Sequence, residues 1–559
     1  MSRHRRQRTP RVSVPVAKLD AIVERTRTEA LPADEHATLK AAVDTLARLT
    51  EELETTTTTL ERVRRLIFGP RTETTDTILG KDQDTGQTDT PSPDPATNPG
   101  ATSAGEPPGK PPRRGHGRNG VDQYPRAPRI PVTHATLKQG DPCPELGCTG
   151  RVYVQRQEPA VLVRVTGVAP LQAQVYTLER LRCGLCGTVF TAEAPPGVGA
   201  SKYDETAAAM IGLLKYGCGL PFHRIQRLEQ ALAIPLPATT QWDVVAAIAP
   251  RLVPAVEELA QQAAQGTVLY NDDTTMRILK LTAAARAEAL PPDAKAERTG
   301  VFTAGVVAET VHGPIVLFKT GPGHAGEHLA EILDQRRDGA TPVQMSDALA
   351  RNTPGDHPTQ AASCIPHGRR KFVEVHDAFP DEVAFVLETL RPVFHTDQQA
   401  QQRGLDPHAR LLLHQQESGP RMKALQDWMT TQFETHAVEP NSGLGQAITY
   451  MQNHWDKLTL FLRVPGAPLS NNICERALKK AILHRRNSLF YRTLNGAKVG
   501  DLFMSLIHTA ELHQVEPFDY LVTLLRHAVA VALDPPAWMP WNYTATLARL
   551  ATDADSPPD

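Results

Sequence analysis

The chain has 559 residues, with 60 Lys or Arg, 62 Asp or Glu and a formal net charge of −2 at pH 7. A chain of this length is expected to form several domains. The nearly neutral balance excludes a globally basic nucleic-acid coat, although local basic segments can still bind phosphate.

The sequence also indicates the cellular compartment. No run approaches the roughly 18 apolar residues of a membrane span. No apolar core follows the basic N-terminus, as it would in a secretory signal. Seven cysteines, an odd number in a long chain, do not resemble a disulfide framework. We therefore expect a cytoplasmic protein.

The N-terminal part is expected to be a tail followed by a zipper. Residues 1–33 are basic and are predicted to be mostly disordered. Apolar residues then recur every seven positions, at Leu39, Leu46, Leu53, Leu60 and Ile67. This spacing predicts a leucine-zipper-like coiled coil over 34–73 and a homo-oligomer. The alternative is one amphipathic helix packed within a monomer.

A linker and a cysteine module are expected next. Residues 74–128 are rich in Thr, Asp, Pro and Gly and are predicted to be a disordered linker; its basic end could touch phosphate or remain solvated. Residues 129–197 hold four cysteines in a C-x4-C and C-x2-C pattern, at Cys143, Cys148, Cys183 and Cys186. Two such knuckles predict a small, zinc-ribbon-like Zn²⁺ module. Reduced cysteines in a small β module are the alternative, and the other three, Cys218, Cys364 and Cys474, are expected to be structural.

Residues 198–260 are predicted to be helical. A helix is followed by a turn around Ile234 to Pro237 and by a second helix that Thr239 or Thr240 could cap. The pattern fits a helix-turn-helix that binds DNA, and it fits an ordinary helical hairpin equally well.

Residues 261–535 show the pattern of a catalytic α/β domain. Three strand-like segments, the last two joined by a turn at His312-Gly313, are followed by a helix, a fourth strand and a second helix. A fifth strand then runs into a basic helix, which gives the order βββαβαβα. Asp272 and Asp347 lie at the ends of the first and fourth strands. This is the ribonuclease H-like order, in which those two strands are neighbours, so their carboxylates can converge.

Converging carboxylates suit phosphodiester chemistry with two metal ions held roughly 3.5–4 Å apart. Magnesium prefers carboxylates, water and substrate phosphate as ligands. Glu475 is a third candidate, because it is the only acid near the head of a basic run that extends to Gly500. The run would hold the DNA phosphates that the metal must reach.

The segment from Leu469 to Leu521 resembles the C-terminal signature of transposases of the insertion-sequence-66 family. In that family an Asn-Asn-x-x-Glu-Arg motif precedes a basic stretch, an aromatic residue, a Gly-Ala turn and a Pro-x-Asp-Tyr segment. The matching residues are Asn471, Asn472, Glu475, Arg476, Arg486, Asn487, Phe490, Gly496, Ala497, Pro517, Asp519 and Tyr520. HGRRKF at 367–372, the cysteine module and the N-terminal heptads are also similar to the family, so the resemblance extends through most of the chain.

The resemblance implies a multidomain DDE transposase with Mg²⁺ or Mn²⁺ as cofactor. Carried over, the catalytic triad is Asp272, Asp347 and Glu475. The family pattern Asp-acid-Thr favours Asp272 over Asp273 as the first ligand, and both stay candidates. Residues of about 380–465 are interpreted as a helical insertion in the catalytic domain, and 536–559 as a C-terminal tail.

Ten residues are expected to bind DNA: Arg369, Arg370, Lys371, Asn471, Asn472, Arg476, Lys479, Lys480, Arg485 and Arg486. His367 is expected to bind DNA or to support the site. Other roles stay open: Asp347 could cap a helix and Glu475 could pair with an Arg. Asn471 and Asn472 could orient the Glu475 helix, and Ser470 or Asn471 could cap it.

The expected function is cleavage of insertion-element ends and joining of the freed 3′-hydroxyls to target DNA, without a covalent protein–DNA intermediate. Expected partners are the terminal repeats, target DNA and accessory proteins of the same element. A catalytically inactive DNA-binding regulator and a two-metal nuclease without strand transfer are the alternatives.

Overall fold

The structure, a computed structural model, describes residues 22, 32–40, 75–79, 136–144, 148–153, 169–182, 189–193, 195–196, 198, 201–288, 290, 298–337 and 339–555. The chain forms two compact units. One comprises Met1–Thr85 and Leu171–Asp559, and the other comprises Gly86–Pro170. The predicted zinc module 129–197 is divided by this boundary.

The described strands and helices are numbered in chain order. The strands are β1 Arg180–Arg182, β2 Val189–Thr191, β3 Val268–Thr275, β4 Ile278–Lys280, β5 Phe302–Thr310, β6 Gly313–Gly321, β7 Val343–Ser346, β8 Gln360–Ser363 and β9 Tyr491–Thr493. The helices before Asn472 are α1 Glu205–Gly212, α2 Phe222–Ala231, α3 Ala238–Ala263, α4 Ala283–Glu288, α5 Ala325–Leu333, α6 Ile365–Val373, α7 Pro380–Gln402, α8 Pro407–Glu417, α9 Gly419–Glu434, α10 Gly443–Asn453 and α11 Trp455–Leu458. The later helices are α12 Asn472–Ser488, α13 Leu494–Leu512, α14 Pro517–Arg526, α15 Ala528–Leu533 and α16 Tyr543–Asp555.

A five-stranded mixed sheet in the order β6-β5-β3-β7-β8 forms the centre of the larger unit. Strand β3 pairs antiparallel with β5 and parallel with β7, and β7 pairs parallel with β8. The first and fourth strands of this sheet in chain order are β3 and β7. The prediction that these two strands are neighbours is therefore confirmed. This order is compatible with the predicted ribonuclease H-like arrangement.

The predicted hairpin is also confirmed. Strand β5 ends at Thr310 and β6 begins at Gly313, which has a φ of 111°. Glycine adopts this positive φ without the penalty that a Cβ would impose. The turn therefore sits where the His312-Gly313 pair predicted it.

Helices cover both faces of the sheet. Helix α12 contacts β3 and β5 from one side, and α5 contacts the same strands from the other. Successive residues Val306, Val307 and Ala308 of β5 are fully buried. Strands buried on both faces are expected to be continuously apolar, as this one is.

The segment between α6 and α12 is helical. It contains α7 to α11 and a 3₁₀ turn at Leu460–Leu462. The apolar faces of these helices join the main core, with Val386, Leu390, Met429 and Met451 at 0% exposure.

One predicted secondary-structure assignment is wrong. The helix expected after Asp347 is only a 3₁₀ turn at Ala350–Asn352, and the chain passes from there into β8. Helix α4 lies between β4 and β5, where the sequence predicted no element. Strand β4 also pairs parallel with β9, a contact between positions about 200 residues apart that local sequence does not reveal.

Three predicted boundaries need correction. Helix α3 runs through residue 260 to Ala263, so no domain boundary falls there. Ile78 and Leu79, assigned to the linker, pack against the core. The C-terminal tail is folded in its described part: Trp538 is 2% exposed, and its carbonyl accepts a 3.1 Å hydrogen bond from the Tyr520 hydroxyl.

Several predictions fall largely outside the described residues. Only 34–40 of the heptad segment are described, and they are helical. The tail 1–33 is described only at residues 22, 32 and 33, and the linker only at 75–79. Within the described part of the chain, no helix has both the length and the apolar character needed to cross a bilayer.

Candidate active site

Strands β3 and β7 bring two aspartates to one level of the sheet. The last registered pair of these parallel strands is Tyr270 with Met345. Asp272 and Asp347 each lie two residues beyond this pair. The two aspartates therefore lie side by side at the point where the pairing of β3 with β7 ends. Parallel strands end at a common edge, which explains why two acids 75 positions apart in sequence can meet.

Helix α12 carries Glu475 in its first turn and is fixed against β3 and β5. The Asn471 side-chain amide donates to the Asn271 carbonyl at 3.1 Å, and the Cys474 thiol donates to the Gly305 carbonyl at 3.4 Å. Gly305 is registered opposite Asp272, and a Cβ there would lie 3.1 Å from Leu478. The missing side chain therefore lets α12 approach the strand that bears Asp272.

The three carboxylates interact electrostatically. Burial, together with the charges of Asp347, Asp273 and Glu475, raises the pKa of Asp272 to about 7, while a hydrogen bond from the Asp273 amide lowers it. Like charges disfavour ionisation because each makes the others harder to charge. A cluster of this kind favours bound cations.

Asp347 is held by the loop that follows it. Its Oδ1 accepts a hydrogen bond from the Asn352 amide and a second, at 3.3 Å, from the backbone N–H of Leu349. The 3₁₀ turn that follows has no side-chain cap. The loop therefore fixes the orientation of the Asp347 carboxylate, and this carboxylate does not cap an α-helix.

Asp273 points to the opposite face of β3 from Asp272, since successive strand residues alternate. Its carboxylate lies 2.9 Å from Nδ1 of His324 and 3.4 Å from the Arg351 guanidinium, and its side chain is 2% exposed. This environment is that of a paired structural acid. The geometry places Asp272, and not Asp273, on the side of α12.

Glu475 has His367 as a neighbour, with the ring Nε2 3.8 Å from Oε1. Cys364 lies beside both, and the three ligand atoms are all within 4.8 Å of one another. The expectation that Cys364 is merely structural missed this proximity. Its signal was the Cys-x-x-His spacing with His367, but the Glu475 partner comes from a helix more than 100 positions away.

The predicted DNA-binding residues separate into two groups. Arg476, Lys479 and Arg486 are exposed along one stripe of α12. By contrast, Lys480 pairs with Glu511 at 2.9 Å, and Arg485 donates to the hydroxyls of Thr274 and Thr275 at 2.9 and 2.8 Å.

The other candidates also differ in their surroundings. Arg370 and Asn472 are exposed, whereas Asn471 is fully buried. The Arg369 guanidinium donates to the Thr75 hydroxyl at 3.3 Å, and Lys371 lies 5.8 Å above the ring of Tyr450. The buried position of Asn471 suits the orienting role, and in the described helix α12 its side chain makes no capping hydrogen bond.

Half of the predicted zinc set is described. The Cys143 amide donates to the Gly150 carbonyl at 2.8 Å, and the Gly150 amide donates to the Cys148 sulfur at 3.4 Å. This last hydrogen bond lowers the pKa of the Cys148 thiol, with a smaller contribution from Cys143. Cys183 and Cys186 lie outside the described residues, so the four-cysteine site stays a prediction.

Gly326 of α5 supports the loop that orients Asp347. A Cβ at this position would collide with the Thr353 carbonyl and lie 2.7 Å from the Arg351 carbonyl. We expect Gly326→Ala to displace the 3₁₀ turn and to reduce stability by about 1–3 kcal/mol, as overpacking does. Thermal unfolding checks this, with Gly419→Ala as the control, because this glycine also lies in the first turn of a helix and a Cβ there would meet no atom closer than 3.8 Å. An unchanged midpoint for Gly326→Ala would contradict the packing argument.

The donor set fits hard divalent cations. Carboxylate oxygens are the ligands that Mg²⁺ prefers, and burial together with the neighbouring carboxylates raises the pKa of Asp272, a shift that a bound cation would oppose. Asp272, Asp347 and Glu475 are the residues that would hold such ions.

Comparison with known proteins bears on this site. A family model described as transposase IS66 family matches residues 200–499. The match covers the sheet, the helical segment and α12, and thus includes all three carboxylates.

Curated relatives come from Sinorhizobium fredii (strain NBRC 101917 / NGR234), and each is described as uncharacterized. Protein y4jD is 28% identical over 202 residues, which is 35% of this chain and 39% of the relative. Protein y4qI is 25% identical over 357 residues, 61% of this chain and 62% of the relative. Protein y4hP is 25% identical over 381 residues, 62% of this chain and 63% of the relative. The chain thus spans less than two thirds of each relative.

Proposed function

Because the chain belongs to the IS66 transposase family, we propose that it is a DNA transposase that cleaves the ends of its element and joins them to target DNA. The observation that carries this proposal is that Asp272 and Asp347 lie side by side just beyond the paired part of β3 and β7, with Glu475 in the first turn of α12, which packs on β3 and β5. We infer a ribonuclease H-like catalytic domain from the strand order and directions.

In this proposal each residue near the site has a task. Asp272, Asp347 and Glu475 hold two Mg²⁺ or Mn²⁺ ions. When bound, such ions activate the attacking oxygen and stabilise the leaving oxygen of a phosphodiester. Asn352 orients Asp347 through its amide, and Asn471 fixes the start of α12, so that the carboxylates keep their relative positions.

The proposed reaction has two steps on DNA. Hydrolysis breaks the phosphodiester bond at the element end and leaves a 3′-hydroxyl. That hydroxyl then attacks a phosphodiester of the target, whose own 3′-oxygen leaves as the new bond forms. No protein nucleophile takes part.

The exposed stripe of α12 is proposed to bind DNA phosphates. Each phosphate contact contributes about 0.9 to the slope of log affinity against log salt on duplex DNA. We expect the double substitution Arg476→Ala with Lys479→Ala to weaken binding and to reduce this slope by roughly 1–2. Lys480→Ala is the matched control, because its charge is already paired with Glu511. Equal slopes for the double variant and the wild type would refute the assignment.

The proposal is tested with labelled DNA that carries the element's ends, incubated with the full chain and Mg²⁺ or Mn²⁺. End nicking together with joined product supports a transposase. Nicking without joining supports a nuclease. Binding without nicking, also in the presence of the products of neighbouring genes of the element, supports a catalytically inactive regulator.

A further inference from the structure

A second group of ligand atoms adjoins the proposed catalytic centre. Cys364 precedes α6, His367 lies in its first turn, and Glu475 lies in the first turn of α12. The sulfur, one ring nitrogen and one carboxylate oxygen are mutually within 4.8 Å. Glu475 therefore faces two different sets of neighbours: the aspartates at the sheet edge, and this Cys–His pair.

The distances approach those of a tetrahedral metal site. Zinc binds sulfur at about 2.3 Å and nitrogen or oxygen at about 2.0–2.2 Å, so its ligand atoms are roughly 3.3–3.7 Å apart. The His367 Nε2 to Glu475 Oε1 distance is 3.8 Å. Small side-chain rotations would complete the geometry.

The surroundings of the two side chains allow those rotations. Burial raises the pKa of the Cys364 thiol to about 11, so the ion would have to displace the thiol proton when it binds. The Cys364 sulfur is fully buried and accepts a 3.3 Å hydrogen bond from the backbone N–H of Asn471. Nδ1 of His367 is buried and has no hydrogen-bond partner among the described residues. No second bond therefore fixes the ring, and either nitrogen can turn towards the sulfur.

The chemistry of the set selects the ion. Thiolate and imidazole ligands suit zinc and similar borderline-soft ions, whereas Mg²⁺ prefers oxygen. We propose that Cys364, His367 and Glu475 bind a Zn²⁺-class ion, and that this ion withdraws Glu475 from the catalytic pair and inhibits cleavage. The inhibitory consequence rests on the proposed transposase function, while the binding itself does not.

Binding is tested with Co²⁺ as the probe. The full chain is stripped of metal under reducing conditions and titrated with CoCl₂, and the absorption of the thiolate-to-cobalt charge transfer is followed. Cys364→Ser is expected to lose the component of one thiolate, and Cys474→Ser, which removes a neighbouring buried thiol, to retain it. The predicted four-cysteine set contributes equally to both spectra. Superimposable spectra of Cys364→Ser and the wild type would overturn the proposal.

A second variant keeps the test decisive if Cys364→Ser does not fold. His367→Gln changes a partly exposed side chain. Even outer-shell partners of a metal ligand change affinity by about 10–100-fold, so loss of a ligand is expected to weaken Co²⁺ binding at this site at least tenfold. Unchanged affinity in this variant would equally refute the site.

The inhibitory role has its own experiment. Zn²⁺ is added to cleavage reactions with Mg²⁺ in excess, and the ratio of inhibited to uninhibited rate is compared between the wild type and Cys364→Ser. The variant is expected to resist Zn²⁺, and equal inhibition would contradict the role. If neither protein cleaves DNA, the proposed function fails while the Co²⁺ titration still decides the metal site.

Discussion

Glu475→Gln is expected to reduce metal-dependent cleavage by roughly 10³-fold or more while leaving DNA binding nearly unchanged. Charge stabilisation by bound metal is worth several kcal/mol of the barrier, and each 1.4 kcal/mol is about tenfold in rate. Gln keeps the size of the side chain but removes its charge. The helix α12 stays anchored, because Asn471 and Cys474 make the contacts to β3 and β5.

The measurement is a single-turnover nicking rate on element-end DNA, with binding measured separately on the same variant. Glu511→Gln serves as the control, since this acid pairs with Lys480 and His508 away from the triad. A Glu475→Gln protein that cleaves at the wild-type rate would remove Glu475 from the proposed triad.

The second large effect is a contrast between two adjacent acids. Asp272→Asn is expected to reduce cleavage about as strongly as Glu475→Gln, for the same electrostatic reason. Asp273→Asn should retain most of the cleavage but lose about 1–3 kcal/mol of stability, because the carboxylate, which is itself buried, is the charged acceptor for two neighbouring side chains. Those side chains are His324 and Arg351. Strong cleavage by Asp272→Asn, with none by Asp273→Asn, would reverse the assignment of the first ligand.

Asp272→Asn should also stabilise the metal-free protein, in a pH-dependent way. The pKa of Asp272 is raised from its ordinary value to about 7, so the folded state holds a proton that the unfolded state releases. The free energy of unfolding therefore falls as pH rises from about 4 to 7, and this contribution is at most about 4 kcal/mol. Asn lacks the titration, so its advantage over the wild type should be larger at pH 8 than at pH 5. Thermal unfolding in the presence of a chelator measures it, and an advantage independent of pH would argue against the buried carboxylate cluster.

The β5–β6 hairpin and the proximity of Asp272 to Asp347 were predictable from the sequence, because each depends on a signal carried by a few neighbouring residues. Alternating apolar residues mark strands, and polar residues directly after them mark strand ends. Asp272 and Asp347 carry that signal in a few neighbouring residues each.

The misplaced elements depend on distant contacts. The loop after Asp347 is drawn into a 3₁₀ turn by Asn271 and Gln344, whose side-chain amides donate to the Asn352 carbonyl at 2.8 and 2.6 Å. Trp538, in a Pro-rich stretch, is part of the core, where its ring stacks on His527 and its carbonyl accepts a hydrogen bond from Tyr520. Such contacts have no periodic signature along the chain.

In the candidate site, too, some features were predictable from local sequence and others depend on distant contacts. The acids and the basic run stand out in the sequence, whereas the intramolecular partners of Lys480 and Arg485 do not. Charge alone cannot distinguish a residue that binds DNA from one that fastens two elements together. The proximity of Cys364 to Glu475 was not predicted, because the residue before α6 and the first turn of α12 are remote in sequence.

The most direct measurement is a crystal structure of the protein with Mn²⁺ and element-end DNA, using anomalous scattering to locate the metal. The account predicts two Mn²⁺ ions roughly 3.5–4 Å apart, held by Asp272, Asp347 and Glu475 at the DNA phosphate. Mn²⁺ bound elsewhere, with these carboxylates apart from one another and from the DNA, would contradict it.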